Sequence, residues 1–422
     1  MNRRGKARRV GDNEMVKLSK SLSWALRHGI GELGLAMTSA GFVRVDELLA
    51  HQRFSKWTEE HIKQVVAEND KKRFDLAEID GMQWIRANQG HTINIVKDED
   101  LLTEITDPSI YPVVVHGTDK KSWLTIMKRG LYRMRRNHIH FAPGFPENGQ
   151  VISGARSNCT VFIEIDIEKA MQDGVKFFIS SNSVILTSGI KGFLSPKYFK
   201  KIYIDRVETP FEWKPLELDY FLVLDFEANC IENGELKCQE IIEFPVQALN
   251  TKTLQIDHTF HYYIKPDVVP DLSAFCTQLT GITQNMVDAG IPLLEALGKF
   301  HEFLEETGLS SKKWSFLTCG DWDLKTCLQK EAKYKNYQLA PYFYSWMNIK
   351  KIFPSFMAKG MMGMISLLEI EHVGRHHSGI DDVTNIARCM AAMLQAGVGV
   401  FESDILRLQI IPKRNEEIKQ QP

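Results

Sequence analysis

The chain has 422 residues, of which 44% are hydrophobic and 25% are charged, a composition typical of a globular protein with two or three domains. Its net charge is −1, so the overall charge gives no argument for a nucleic-acid partner. Seven cysteines without a CxxC pair argue against a disulfide framework and a structural zinc site. No apolar run reaches roughly 18 residues and no signal-peptide core is present, so we expect no membrane partner and a cytoplasmic or nuclear location. The Arg-rich first residues leave mitochondrial import as the alternative.

The chain opens with a basic segment and an amphipathic helix. Residues 1–15 are rich in Arg and Lys and have no apolar run, which predicts a basic, disordered arm. The alternative is an arm that contacts RNA phosphates. Leu18, Leu22 and Leu26 then recur at four-residue spacing and predict a helix that ends near Gly29.

The rest of the N-terminal half indicates two lobes of class α+β. A second helix is predicted to begin after Thr58, and an Asp80–Gly81 turn joins two strands, so residues 16–100 are typical of a winged-helix-like lobe. Residues 101–206 are dominated by β-branched and aromatic runs and contain one predicted helix. The predicted strands are 113–115, 160–167, 175–181, 182–187 and 200–205.

A second domain is predicted to follow a linker. Residues 207–216 carry two prolines and no clear periodicity, which is typical of a linker. Strands and helices alternate over residues 217–405, an α/β pattern in which the first three strands follow one another in meander order. Residues 406–422 form a polar tail that we expect to be disordered.

Acidic and histidine residues recur at informative positions in the second domain. Asp225 and Glu227 are two residues apart on a predicted strand, so both side chains are expected on one face. Asp323 follows a strand, and His377 lies five residues before Asp382, which is predicted to begin the last helix. Carboxylates are the ligands that two hard divalent ions require, and an imidazole can deprotonate water. Together these residues indicate two-metal phosphodiester hydrolysis.

Two positions in this pattern have competitors. Asp321 competes with Asp323 as the middle acid, and His376 competes with His377 as the general base. The five-residue offset to Asp382 favours His377. A single Asp at a helix start is more often an N-cap, so the ordered set is far more specific than any one member.

Residues 217–400 resemble the DEDD-type 3′→5′ exonucleases with a histidine in the third motif, in the branch that processes histone mRNA ends and small interfering RNAs. The matching segments are LDFEANC, EIIEFPVQALNT, FCTQLTGITQ, GDWDL, WMNIKKI and GIDDVTNIARCM. The resemblance implies an RNase H-like domain that acts on single-stranded RNA 3′ ends, with His377 as general base. Trp322 and Phe275 would stack on terminal bases, or else simply pack in the core. The implied ligands of two Mg²⁺ or Mn²⁺ ions are Asp225, Glu227, Asp323 and Asp382.

The N-terminal half carries a different set, built from arginine, lysine and histidine. Arginine offers a planar, two-pronged donor that suits phosphate, although each arginine alone is more often a surface residue. The members are Arg27, His28, Lys71, Arg73, His116 and Arg136.

Residues 16–205 resemble the RNA 2′-phosphotransferases, the KptA-like enzymes of tRNA splicing. The matching segments are LSKSLSWALRH, AENDKKRF, WIRANQGHT, VVVHGT, RNHIHFAPG and QVISGARSN. The resemblance implies a winged-helix lobe joined to an ADP-ribosyltransferase-like lobe that consumes NAD⁺ to remove a 2′-phosphate from tRNA. The implied phosphate-binding residues are Arg27, His28, Lys71, Arg73 and Arg136. The implied NAD⁺-binding residues are His116, Gly117, Thr118, Ser153, Gly154 and Arg156.

The two resemblances together predict one chain with two RNA-directed enzymes. A general ADP-ribosyltransferase is the alternative for the first half, but the expected late strand reads VILTSG and contains no glutamate. A second alternative is that only one half is catalytic and the other serves as an RNA-binding module. A third is that two neighbouring enzymes have been joined only in the gene model, which the intact mass of the native protein would decide.

Overall fold

The computed structural model describes residues 4–145, 159–353 and 358–408, and it divides into two compact units, Met1–Trp213 and Lys214–Pro422. The division falls inside the predicted linker. Residues Val207–Thr209 are nevertheless not linker: they form a strand that pairs with Phe199–Ile204. Asp205 and Arg206 both adopt positive φ and make the tight turn of this hairpin, a feature that the linker prediction missed. Among the described residues, no helix has the length and apolarity needed to cross a membrane.

The first lobe combines helices with a small antiparallel sheet. Thr58 caps the second predicted helix, as expected, and the Asp80–Gly81 turn joins two paired strands, as expected. The sheet has the order β1-β3-β2. The elements are α1 (Arg4–Trp24), a π-helical turn (Ala25–Gly29), α2 (Ile30–Leu33), β1 (Val43–Arg44), α3 (Val45–Ala50), α4 (Glu59–Ala67), β2 (Phe74–Ile79) and β3 (Met82–Ala87).

The first helix departs from the sequence prediction at both ends. It begins at Arg4, so the prediction of a disordered arm is wrong from that residue onward; Arg, Lys, Ala and Met favour helix even without an apolar stripe. It also continues past Gly29 as a π-helical turn and then as α2. Gly29 has no Cβ, and a Cβ there would lie 2.5 Å from the Trp24 ring. The glycine therefore accommodates Trp24 and does not end the helix.

The second lobe consists mainly of antiparallel strands. Two four-stranded sheets have the orders β4-β9-β10-β7 and β13-β12-β8-β5, and β11 pairs with β6. The strand predicted at 113–115 instead spans Val115–Thr118. The elements are α5 (Asp98–Leu101), β4 (Thr103–Glu104), β5 (Val115–Thr118), α6 (Lys120–Arg129), β6 (Leu131–Tyr132), β7 (Ile139–Phe141), β8 (Val161–Ile165), α7 (Ile167–Gln172), β9 (Phe178–Ile179), β10 (Ile185–Thr187), β11 (Phe193–Leu194), β12 (Phe199–Ile204) and β13 (Val207–Thr209).

The second unit is built on a seven-stranded mixed sheet. Its path is β15-β16-β14-β18-β19-β20, and β17 also pairs with β16. Strand β20 belongs partly to the predicted polar tail, because its last two residues pair with β19. The strands are β14 (Tyr220–Leu224), β15 (Glu227–Ala228), β16 (Ile241–Asn250), β17 (Ile256–Tyr263), β18 (Trp314–Thr318), β19 (Ser345–Asn348) and β20 (Ile405–Arg407). The helices are α8 (Ala274–Thr280), α9 (Gln284–Asp288), α10 (Leu293–Glu306), α11 (Leu328–Lys335), α12 (Ile349–Ile352), α13 (Gly360–Leu367) and α14 (Gly379–Gln395), with a π-helical turn at Asp323–Cys327.

The central strand of this sheet is covered on both faces. Phe221, Leu222, Val223 and Leu224 are all fully buried, as expected for a continuous apolar run at the centre of a sheet. Strand β14 runs parallel to β18 and antiparallel to β16. The carboxyl ends of β14 and β18 therefore meet at one sheet edge, and the acidic residues that follow these strands are brought together there.

We predict that Gly29→Ala destabilises the first lobe by about 1–3 kcal/mol, because the added methyl group would overlap the Trp24 ring. Arg53 lies over the same ring at 4.0 Å and restricts its movement. Hydrogen–deuterium exchange of the first helix would measure the change in local stability. Gly31→Ala is the matched control: no atom lies within 4 Å of its Cβ position, so it should stabilise the helix by up to about 1 kcal/mol. Equal protection in both variants would contradict the role assigned to Gly29.

Candidate active sites

Three arginines that are far apart in the sequence converge in the first unit. Burial, followed by the charges of Arg136 and Arg73, lowers the pKa of Arg27 to about 10, and Arg27 therefore still remains positive at neutral pH. Its Nε and Nη2 atoms are buried and find no hydrogen-bond partner among the described residues. We call Arg27, Arg73 and Arg136 the arginine cluster. A buried guanidinium with unused donors is well suited to an anionic ligand.

The loop that contains Gly90 and Thr92, for which the sequence predicted no role, holds Arg27 and His28 in place. Both residues lie on the π-helical turn Ala25–Gly29. The Thr92 backbone N–H donates to the Arg27 carbonyl at 3.0 Å, and the Thr92 hydroxyl lies 3.0 Å from His28 Nδ1. Gly90 has φ +89°, and a Cβ there would contact the Arg27 guanidinium carbon at 3.4 Å. This loop is the QGHT part of the WIRANQGHT segment, so the family resemblance already pointed to it.

Two buried asparagines fix the loop that carries Lys71 and Arg73. Asn182 Nδ2 donates to the Lys71 carbonyl at 2.9 Å, and Asn88 Nδ2 donates to the Lys72 carbonyl at 2.8 Å. Lys72 adopts a φ of 43°, a conformation that is unfavourable for a lysine unless its surroundings hold it. These hydrogen bonds position Lys71 and Arg73 from both sides, and sequence reasoning found neither asparagine.

The predicted NAD⁺-binding residues are described only in part. His116 lies on β5, and its Nδ1 is 2.9 Å from the His140 carbonyl. Burial lowers the pKa of His116, and the charge of Arg136 contributes, so this histidine lies near the arginine cluster. Gly117 and Thr118 follow it on β5 and are half-buried. The remaining predicted residues lie outside the described part of the chain: Ser153, Gly154 and Arg156.

The histidines around the arginine cluster are held neutral. Burial lowers the pKa of His28, and Arg27 adds to this effect. Burial and Arg27 together lower the pKa of His91 to about 3. The pKa of His140 is well below its usual value for the same reason, with Arg136 as the next contributor. The positive charge of this site at neutral pH therefore comes from arginine.

The predicted acids converge in the second unit. Carboxylate oxygens of Asp225, Glu227 and Asp382 all lie within 4.8 Å of one another. The sequence predicted Asp225 and Glu227 on one strand, but Asp225 lies just after a strand. Strand β14 ends at Leu224, and the next strand, β15, begins at Glu227. The pairing with β16 keeps one register across this break, from Leu224 opposite Val246 to Glu227 opposite Glu243, and shifts only between Glu227 and Ala228. The two side chains are nevertheless brought to one place.

The structure separates Asp323 from its competitor Asp321. The carboxylate of Asp323 is buried and accepts a hydrogen bond of 2.9 Å from the Phe226 N–H, between Asp225 and Glu227. Asp321 instead bonds to groups on another segment of the unit. Its partners are Trp346 Nε1 at 3.3 Å, Asn348 Nδ2 at 2.7 Å and Lys351 Nζ at 2.7 Å. Asp323 thus joins Asp225, Glu227 and Asp382 in what we call the carboxylate cluster.

Burial and mutual repulsion disfavour ionisation of the carboxylate cluster. Burial raises the pKa of Glu227 to about 8, with Glu243 and Asp382 adding to the effect. Burial likewise raises the pKa of Asp323 to about 6. The pKa of Asp225 lies well above its usual value because of burial and the neighbouring carboxylates. Divalent cations would relieve this repulsion, and a donor set of hard oxygens fits Mg²⁺ or Mn²⁺.

Both candidate histidines lie beside Asp382. His376 Nδ1 is 3.3 Å from Asp382 Oδ1, whereas His377 donates its backbone N–H to Asp382 Oδ2 at 3.0 Å. The two imidazoles stack with ring centroids 4.0 Å apart. Burial, followed by His376, lowers the pKa of His377, which leaves its ring neutral and able to accept a proton. The geometry brings both residues to the site, and the choice of His377 stays a prediction.

Glu243 positions the helix that carries Asp382, and sequence reasoning missed it. This buried carboxylate accepts hydrogen bonds from the Gly379 N–H at 3.0 Å and the Ile380 N–H at 3.2 Å, at the start of α14. It also lies 2.8 Å from His261 Nε2. A glutamate within the apolar run IIEFPV was the available signal, because a charge in a buried strand needs dedicated partners.

The two aromatic residues predicted to stack on bases differ in exposure. Trp322 immediately precedes Asp323 and is 39% exposed. Phe275 lies on α8 and is half-buried. The exposed indole can accept a stacking base, while base stacking by either ring stays a prediction.

Comparisons with known proteins match each half of the chain to a different enzyme family. Residues 13–189 match the family model described as "RNA 2′-phosphotransferase, Tpt1 / KptA family", and residues 222–390 match the family model described as "Exonuclease". ERI1 exoribonuclease 3 of Homo sapiens is 44% identical over 189 residues, which are 43% of this chain and 56% of that protein. The chain thus spans little more than half of that relative.

Two further similarities cover most of the compared protein. The solved nuclease domain of 3′hExo, a DEDDh family member bound to rAMP, is 34% identical with a TM-score of 0.43, covering 47% of this chain and 100% of that one. The tRNA 2′-phosphotransferase 1 of Danio rerio is 50% identical over 205 residues, which are 47% of this chain and 90% of that protein. The chain therefore belongs to the RNA 2′-phosphotransferase family, and its C-terminal part matches the Exonuclease family model.

Proposed function

We propose that the chain is a bifunctional RNA-processing enzyme, in which an NAD⁺-dependent RNA 2′-phosphotransferase is followed by a metal-dependent 3′→5′ exoribonuclease. One observation carries this proposal: each unit brings several charges of one sign together, around the buried guanidinium of Arg27 in the first unit and around buried carboxylates in the second. The buried donors of Arg27 suit a phosphate, and the carboxylate cluster suits divalent cations. The substrates would be tRNA with a splice-junction 2′-phosphate and single-stranded RNA 3′ ends.

The architecture supports more specific fold assignments. Helices α1 to α4 with the β2–β3 hairpin would form a winged-helix lobe, and the two four-stranded sheets that follow would form an ADP-ribosyltransferase-like lobe. In the second unit, the sheet order β17-β16-β14-β18-β19, with β14, β18 and β19 parallel, fits an RNase H-like domain.

In the first unit, the RNA 2′-phosphate would attack the nicotinamide-bearing ribose carbon of NAD⁺, and the glycosidic bond to nicotinamide would break. The adjacent ribose hydroxyl would then attack the phosphorus, so that the RNA leaves with a 2′-hydroxyl and ADP-ribose cyclic phosphate forms. Negative charge accumulates on the phosphoryl oxygens in the second step. The arginine cluster, with Lys71 beside it, would hold and neutralise this charge, and the neutral ring of His28 would donate a hydrogen bond to the phosphate. His116, Gly117 and Thr118 would contact NAD⁺.

In the second unit, the carboxylate cluster would hold two Mg²⁺ or Mn²⁺ ions, which polarise the scissile phosphate when bound. His377, with its lowered pKa, would accept the proton of the attacking water. Glu243 would keep Asp382 in place through the start of α14. The exposed Trp322 beside Asp323 would stack on the terminal base.

Removing one arginine should slow 2′-phosphate transfer selectively. We expect Arg73→Ala to lower the rate of the second step by about a hundredfold, because one oxyanion donor is lost, so that ADP-ribosylated RNA accumulates. Chromatography of the labelled RNA after NAD⁺ addition would measure this species. Arg44→Ala, which removes a partly buried arginine on β1 that pairs with Asp46, is the matched control. Phosphate removal at the unchanged rate in Arg73→Ala would contradict the role of the cluster.

The exonuclease proposal predicts a difference between the two neighbouring histidines. His377→Asn should lower kcat by about a hundredfold or more, because the proton acceptor is lost. His376→Asn should retain most of the activity, since its ring would serve mainly to orient Asp382. Shortening of a 5′-labelled single-stranded RNA with Mg²⁺ would measure both variants. Greater loss in His376→Asn would identify that residue as the base instead.

A further inference from the structure

A cavity of about 640 Å³ lies in the second unit, and part of its lining is the helical segment that begins at Asp323. One wall is the segment that follows β15, and the other is the helical segment that begins at Asp323. We call it the lysine cleft. Its polar and aromatic lining residues include Glu235, Lys237, Thr326, Lys330, Lys333 and Tyr334.

The lysine cleft is positively charged. Within the described residues, Lys237, Lys330 and Lys333 all line the cleft and form no ion pair with a carboxylate. Glu235 is the acidic side chain that opposes them in the lining. The cleft therefore has a net positive charge, which favours an anionic occupant.

The cleft and the proposed exonuclease site share one helical segment. Thr326, Lys330 and Lys333 follow Asp323 on one helical segment, at spacings of three or four residues that place them on one face. Lys333 is ten residues beyond Asp323, or about 15 Å along a helix axis, a distance that a few linked nucleotides span. Burial raises the pKa of the Cys327 thiol in the cleft wall, and Glu331 and then Asp323 add to it, which shows that this wall lies near the acidic site.

A buried ion network keeps the two walls together. Lys335 Nζ, at the end of α11, lies 2.7 Å from the Glu240 carboxylate, at the end of the facing segment. Glu331 on α11 accepts a hydrogen bond of 2.7 Å from the Ile241 N–H. Glu240 and Glu331 are both fully buried. The walls are therefore fixed before any ligand arrives, so the cleft is a preformed binding surface.

We propose that the lysine cleft binds the nucleotides that precede the 3′ end of a single-stranded RNA whose terminal residue occupies the carboxylate cluster. This inference rests on the proposed exonuclease function. Lys330 and Lys333 pair with backbone phosphates, and the 49% exposed ring of Tyr334 offers a face for one base. The surface contacts the backbone and a ring face, so it binds RNA without reading its sequence.

The test compares two substrate lengths in the intact protein with Mg²⁺. A dinucleotide fills the catalytic site alone, whereas a decanucleotide also reaches the cleft. For Lys330→Ala/Lys333→Ala, we expect the ratio of kcat/KM on the decanucleotide to that on the dinucleotide to fall by about tenfold. The salt dependence of log kcat/KM on the decanucleotide should weaken by about 0.7 for each lost phosphate contact. Lys252→Ala/Lys299→Ala removes the same charge outside the cleft and should leave the ratio unchanged.

Three results would overturn the inference alone. These are an unchanged ratio in the cleft variant, an equal loss on both substrates, or an equal fall in the ratio for the control variant. An equal fall for the control variant would show a general effect of net charge. An unchanged ratio in the cleft variant would assign the cleft to another ligand, such as a protein. If the unsubstituted protein hydrolyses neither substrate, the proposed exonuclease function fails, and the inference fails with it.

Discussion

Burial of like charges at close range is the constraint on which both candidate sites depend. Arg27 loses hydration and faces two other guanidinium groups, while Asp225 and Glu227 face further carboxylates in a buried pocket. Neither arrangement stabilises the folded chain by itself. Each is held by dedicated supports: Asn88 and Asn182 at the lysine–arginine loop, and Glu243 at the start of α14. Binding of an anion in one unit and of cations in the other would relieve the repulsion.

Both sites also use a π-helical turn. Arg27 and His28 lie on Ala25–Gly29, and Asp323 begins Asp323–Cys327. A π-helical turn inserts one residue into a helix and re-aims the side chains around it, and such turns occur frequently at functional sites. In the first unit, Gly29 makes room for Trp24 next to the turn. The two candidate sites thus each place a charged residue on a π-helical turn.

The sequence contains the order of elements and the identity of the charged residues, because periodicity and turn chemistry are local. It predicts the Asp80–Gly81 hairpin and the β14–β16–β17 meander correctly. It does not contain the π-helical turns, which leave no periodic signature, or the break at Asp225. Long-range partners decide the rest: the contacts of Asp321 with Trp346, Asn348 and Lys351 exclude it from the cluster, and none of them is local in sequence.

Two independent active sites on one chain are the central claim, and one measurement tests it most directly. An RNA that is labelled at its 5′ end and carries an internal 2′-phosphate is incubated with the intact protein, with NAD⁺ and Mg²⁺ added separately. NAD⁺ alone should remove the phosphate without shortening the RNA, and Mg²⁺ alone should shorten it from the 3′ end. Asp225→Asn should abolish only the shortening. Loss of both activities in that folded variant would contradict the account. So would the finding that both reactions need the same added component, either NAD⁺ or Mg²⁺.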